Sequence, residues 1–212
     1  MDLIQDDTET RDDVEQRIPY DSAWKEVLEQ YFKQFMAFFF PEAYEGIDWT
    51  TGYEFLDKEL QQVVHDAELG KRYADKLVKV WRKNGDEEWV LIHIEVQSQR
   101  KSGFAERMYI YNYRLFDRYH RRVASLAVLG DEQATWRPDH YEQGLWGCRT
   151  QFDFPVVKLL DYRGYYGCHE DWGALEKSRN PFATIVMAHL KTQETRYDDA
   201  QRQTWKFRLI RR

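Results

Sequence analysis

Residues 73–97 read YADKLVKVWRKNGDEEWVLIHIEVQ, and this stretch decides the fold. Two β-compatible runs flank Asn84-Gly85-Asp86, a tight-turn signal between strands. Pairing residues whose numbers sum to 170 sets Trp81 opposite Trp89, Val80 opposite Val90 and Val78 opposite Ile92, which are favourable cross-strand pairs. Val90, Ile92, Ile94 and Val96 alternate onto one face. The same register puts Asp75 opposite Glu95, with Gln97 two residues further along on the same face. A slip of one residue would break the aromatic pair and turn Asp75 to the wrong side. The hairpin therefore gathers Asp75, Glu95 and Gln97 at one end.

Working outward, residues 102–122 return to a helical period, with Ala105, Met108, Asn112, Leu115 and Tyr119 on one face. Val123 to Leu129 is a nearly continuous apolar run that suits a buried strand. Upstream, Trp24, Leu28, Tyr31, Phe35 and Phe38 recur at helical spacing after a start at Asp21-Ser22, and Pro41 closes that helix. Tyr53-Glu54-Phe55-Leu56 reads as a short strand or the lead into a helix containing Leu60 and Val63. Downstream, 132–150 reads as irregular. Val156 to Leu160 is a further strand, Asn180-Pro181 opens a helix through Leu190, and 198–212 is helical. The order helix, strand, strand, strand, helix, strand predicts an α/β fold with a mixed β-sheet flanked by helices. No GxGxxG or GxxxxGK[ST] motif is present.

Composition narrows the classes. The 212 residues carry 31 Lys and Arg against 37 Asp and Glu, a net charge of −6. Seven of the acids and two bases fall in residues 1–17, leaving 30 acids and 29 bases in the other 195 residues. Residues 1–19 therefore read as an acidic disordered tail, and 20–212 as a single domain with a core over 20–130 and a C-terminal extension over 131–212. A basic coating protein is excluded. The N-terminus shows no basic patch followed by an apolar run, and runs such as Phe35 to Phe40 are too short to span a bilayer. A cytoplasmic protein without a membrane partner is expected. Cys148 and Cys168 lack the spacing of a zinc site and read as reduced thiols.

Two carboxylates as close as Asp75 and Glu95 need a raised pKa or a cation between them. A hard divalent cation with oxygen ligands is the natural partner. The bland alternative is the solvated face of a hairpin. An unpaired carboxylate in the apolar run 90–96 would be costly, however.

Ala74-Asp75, a hairpin, then Glu95-Val96-Gln97 resembles the PD-(D/E)xK nuclease core in its D…ExQ form. The blocks Tyr20 to Lys25, Phe55 to Leu60, Ala74 to Val80, His93 to Ser98, Leu145 to Cys148, Phe154 to Leu160 and Asn180 to Phe182 resemble the recombination-promoting nuclease/putative transposase (YhgA-like) family of bacteria. That resemblance runs from about Tyr20 to the C-terminus. It implies a restriction-endonuclease-like core and a Mg2+-dependent DNA endonuclease, with Mn2+ as a substitute, linked to recombination or mobile elements. Asp75, Glu95 and the Val96 backbone carbonyl would be metal ligands, and Gln97 would position the attacking water. It also implies that relatives continue past a segment like Trp205 to Arg212, and a homodimer is a further expectation. Gln97 stands where the wider superfamily has a lysine and brings no positive charge. Lys79 and Lys101 are candidates to supply that charge, or are simply solvated.

Other residues have two readings each. His93 is a proton carrier or a hydrogen-bonded strand histidine. Glu59 and Glu29 are further metal ligands or helix-surface glutamates. Arg107, Tyr111, Arg114, Arg118 and Arg121 form a stripe opposite the Met108/Leu115 face. They bind DNA phosphates, or pair with Glu106 and Asp117 on a solvated face. Arg202, Lys206, Arg208, Arg211 and Arg212 are a second phosphate contact or a basic helix end. Two rivals to the DNA endonuclease follow: a nucleic-acid-binding or regulatory protein that has lost cleavage, and a metal-dependent hydrolase of RNA or nucleotides.

Overall fold

A computed structural model of the chain describes residues 24–65, 76–83, 89–163 and 172–210. The expected tail, the Asp21-Ser22 helix start, Asp75, the Asn84-Gly85-Asp86 turn, Cys168, Arg211 and Arg212 lie outside the described residues.

The hairpin has the register that its side chains dictate. β2 (Lys76–Trp81) and β3 (Trp89–Gln97) are antiparallel and pair Trp81 with Trp89, Val80 with Val90 and Val78 with Ile92. β1 (Tyr53–Phe55) adds antiparallel to β2, and α4 (Asp57–His65) follows it directly. β4 (Val123–Leu129) runs parallel to β3, joined to it through helix α5 (Phe104–Tyr119), and β7 (Val156–Lys158) runs parallel to β4. The sheet order is β1-β2-β3-β4-β7, a mixed five-stranded sheet. A parallel step needs a crossover, and the amphipathic run after Gly103 supplies it as α5.

Helices cover both faces. Val78, Val80, Ile92, Ile94, Val96, Leu126 and Val128 share a core with α1 (residues 24–30), α2 (Phe32–Phe39) and α7 (Pro181–Glu194). Trp24, Phe35 and Phe39 of the first two helices all lie against Phe182 of α7, with ring centroids 5.2–6.1 Å apart. Asn180 caps α7, accepting from the Phe182 N–H, and its own amide donates to the Gln34 carbonyl. The opposite face sets Leu77 and Leu91 against Leu60 and Val63 of α4 (Asp57–His65) and Leu115 of α5. Beside them Ala127 and Leu129 meet Phe104, Met108 and Phe154. Each such side chain taken fully out of water contributes about 1.5–3 kcal/mol. β7 and α7 come from the expected extension, yet they share the sheet and core of 24–130.

Three local expectations are corrected. The first helix breaks at Tyr31, and Pro41 opens α3 (Pro41–Gly46) at its first position instead of closing the helix before it. A proline lacks only an N–H that is unpaired there anyway. The stretch 132–150 is not irregular throughout, because β5 (His140–Leu145) and β6 (Cys148–Asp153) form a separate antiparallel ribbon. Its strands are mostly exposed and polar, so they carry no apolar alternation. Its loop is Trp146-Gly147, both at positive φ, 51° and 85°, which is the hairpin-turn region without the usual Asn-Gly signature. The strand expected through Leu160 stops at Lys158 and continues as a 3-10 turn over Leu159–Arg163. The C-terminal helix α8 (Asp199–Ile210) follows α7, and α6 (Gly173–Lys177) precedes it.

Candidate active site

Alternation along β3 puts Leu91, His93, Glu95 and Gln97 on the face under α5. Leu91 is an ordinary core residue there. The next three are polar, and Glu95 is only 3% exposed. A carboxylate at that depth requires a partner.

The partner is Arg107, one turn into α5 and 6% exposed. Its Nη2 donates to Glu95 Oε1 at 2.6 Å and to Gln97 Oε1 at 2.7 Å. The guanidinium lies over the Phe104 ring, 5.0 Å from its centroid. The helix starts where it does because Gly103 takes φ 68°, and the Gly103 carbonyl accepts the Arg107 N–H. Arginine has donors and no acceptor, so the Gln97 amide must turn its oxygen toward Arg107. The Gln97 NH2 is left without a hydrogen-bond partner among the described residues. Gln97 itself is half-buried, at the C-terminal end of β3.

His93 is fully buried beside Glu95, its Nε2 3.9 Å from Glu95 Oε2. Burial pushes its pKa down to about 4; the Glu95 charge opposes that and the Arg107 charge adds to it. The imidazole is therefore neutral at pH 7 and is a polar neighbour of the carboxylate, not its ionic partner. Its ring stands edge-on to Tyr111 at 5.3 Å, and neither nitrogen has a hydrogen-bond partner among the described residues.

The arginine stripe divides. Arg107 and Tyr111 are buried next to Met108 and Leu115, not opposite them, so Arg107 does not stand on an outer phosphate-binding face. The physical reason is the buried charge of Glu95, which draws the guanidinium under the helix. Arg114 and Arg118 reach α4, donating to the Val63 carbonyl at 3.5 Å and to Gln62 Oε1 at 2.7 Å. Arg121 lies over the Trp89 ring at 5.3 Å. Of these four, Arg118 is exposed, while Arg114 and Arg121 are half-buried.

The remaining candidates are dispersed. Lys79 pairs opposite Leu91, four residues before Glu95 on β3, so about 13 Å separates them along the strand. It sits 3.5 Å from Glu54 and over the Trp81 and Trp89 rings. Lys101 is exposed and Glu59 is half-buried on α4. Glu29 is taken up by Lys76, a buried lysine whose Nζ lies 3.1 Å from Glu29 and 2.5 Å from Asp57. Sequence reasoning took Arg107 as a phosphate contact and missed its place on Glu95, and it missed this lysine cluster. Arg107 had one available signal: a cation one turn into the helix that follows a buried acid on the strand.

Asp75 lies outside the described residues, next to Lys76, whose partner on β3 is Ile94. Among the described residues no group of three His, Cys, Asp or Glu side chains forms a metal-binding cluster. Glu95 and the neighbouring Val96 carbonyl are hard oxygen donors of the kind a magnesium-like ion takes. Arg107 shares the Glu95 carboxylate. No family model, curated protein or solved structure matches the chain.

Proposed function

We propose that the chain is a Mg2+-dependent endonuclease that hydrolyses DNA phosphodiesters on a restriction-endonuclease-like core. The observation that carries this reading is the buried Glu95 joined through Arg107 to Gln97 at the end of β3. It lies within the element order strand, helix, strand, strand, helix, strand from β1 to β4. Asp75, Glu95 and the Val96 carbonyl would hold the cation, and Mn2+ would substitute. When bound, the cation supplies Lewis-acid polarisation of the phosphoryl group and a more acidic water. The Arg107 guanidinium donates to the Glu95 carboxylate. His93 stays neutral and adds no competing charge. Gln97 stands half-buried at the C-terminal end of β3, and Arg118, exposed on α5, can meet a phosphate. The same reading places the protein in the bacterial cytoplasm, in recombination or mobile-element processing, and as a homodimer.

The test is nicking of supercoiled plasmid in Mg2+. The parent protein should nick, and Asp75→Ala and Glu95→Ala should lose at least about 100-fold, the scale of removing a group that stabilises transition-state charge. An Asp75→Ala variant that cleaves at the parent rate refutes the assignment. One observation favours a second reading: Arg107 already neutralises Glu95, as in a DNA-binding protein that no longer cleaves. That reading expects DNA retention that weakens with salt, without nicking in Mg2+ or Mn2+. Metal-dependent nicking excludes it.

A further inference from the structure

We infer that Arg107 is a positioning residue that turns the Gln97 carboxamide so that its NH2 group meets the substrate. That group then donates to a non-bridging oxygen of the scissile phosphate. The inference rests on the nuclease reading and assigns Gln97 a different task from holding the attacking water.

The geometry leaves little freedom. Nη2 of Arg107 bridges two acceptors, Glu95 Oε1 at 2.6 Å and Gln97 Oε1 at 2.7 Å. Glu95 as a carboxylate only accepts, and the guanidinium only donates. The orientation of the Gln97 amide is thus set by chemistry and not by an arbitrary assignment of its O and N. Burial of Arg107 and its seat over Phe104 hold the guanidinium in place. What Gln97, half-buried at the end of β3, has left to offer is a pair of N–H donors.

A donor suits one of the two oxygens in the reaction better than the other. Donation to the attacking water would draw on the lone-pair density needed for attack. Donation to a non-bridging phosphoryl oxygen stabilises charge as it builds in the transition state. The guanidinium on the amide oxygen polarises the amide and strengthens its N–H as a donor, since linked hydrogen bonds reinforce one another. Arg107 so delivers, through Gln97, the positive character that a lysine at position 97 would have supplied directly.

The experiment uses the full chain and a short DNA duplex. Gln97→Glu keeps the side-chain length and an acceptor for Arg107 but replaces the NH2 group by oxygen. It should lower kcat at least about tenfold with KM within about twofold, the pattern of an interaction made only in the transition state. Arg107→Met should lower kcat similarly, and adding Gln97→Glu to it should cost little more, because the two residues act as a unit. A readout independent of turnover is the Gln97 side-chain amide resonance, identified by its loss in Gln97→Glu. It should shift when the duplex is added in EDTA, and stay unmoved in Gln97→Glu's counterpart Arg107→Met. Cleavage by Gln97→Glu at the parent rate, or binding of duplex to the parent protein with the Gln97 amide unmoved, overturns this inference alone. A parent protein that neither binds nor nicks the duplex overturns the nuclease reading and the inference together.

Discussion

At the scale of single residues, the buried pair of Glu95 and Arg107 sets the largest expected effect. Removing one member of a buried ion pair leaves the other uncompensated and costs about 3–5 kcal/mol. Glu95→Ala should therefore lower unfolding stability by that amount in urea denaturation, beyond any loss of activity. His189 on α7 gives a second, pH-dependent expectation. Its Nε2–H donates to the Gly130 carbonyl at 2.7 Å. Burial lowers its pKa, while the Gly130 hydrogen bond and the nearby acids Glu132 and Asp131 act the other way. The folded pKa lies below the unfolded value of about 6.5, so in that window the unfolded chain binds more protons. This contribution to stability is complete above pH 6.5 and is lost as pH falls. Urea midpoints should drop between pH 7 and pH 5, and His189→Gln, which keeps a donor for Gly130, should flatten that slope.

At the scale of elements, the β5–β6 ribbon is the part most open to improvement. Trp146 is 96% exposed and sits at φ 51°. A non-glycine residue in the left-handed region costs roughly 1–2 kcal/mol, and asparagine tolerates it better. Trp146→Asn gives up almost no packing and should stabilise the ribbon by about 1 kcal/mol, seen as roughly fivefold slower amide exchange at Gln143 and Thr150. The ribbon is anchored at its other end, where Tyr141 stacks on Tyr109 of α5 at 5.0 Å and Phe152 packs on the same ring. Elements whose partners are apolar were readable from sequence. β3 showed its alternation, β4 its unbroken apolar run, and the Trp81/Trp89 pair fixed the register of the hairpin. The ribbon was not readable, because exposed polar strands leave no periodic trace. The inward turn of Arg107 was hidden for a related reason. At helical spacing a row of arginines looks like a solvated face, and only the depth of Glu95 across the gap shows why one of them turns inward. Tyr111 was placed on the wrong face by the same argument.

At the scale of the whole molecule, charge is the property that bears most on function. Most of the −6 resides in residues 1–17, and the remainder of the chain is near neutral. An acidic segment of that kind competes with phosphates for basic surface, over a range set by salt. On the proposed nuclease reading, deleting residues 1–17 should tighten DNA binding at low ionic strength, with the difference shrinking as salt rises. A gel-shift or anisotropy titration with equal affinities for both proteins would remove the idea. Among the described residues no helix is long and apolar enough to cross a membrane.

The packing of α1 and α2 against α7 also dictates an order of events during synthesis. Trp24, Phe35 and Phe39 are closed over by Phe182, and Asn180 and Gln34, joined by a hydrogen bond, are 146 residues apart in the chain. At roughly 5–20 residues per second, the ribosome makes α7 about 7–30 s after the helices it covers. During that interval the aromatic face of α1 and α2 has no lid. The nascent chain is then at its most dependent on chaperones, and a message cut short before α7 would yield a product that aggregates rather than a smaller working domain.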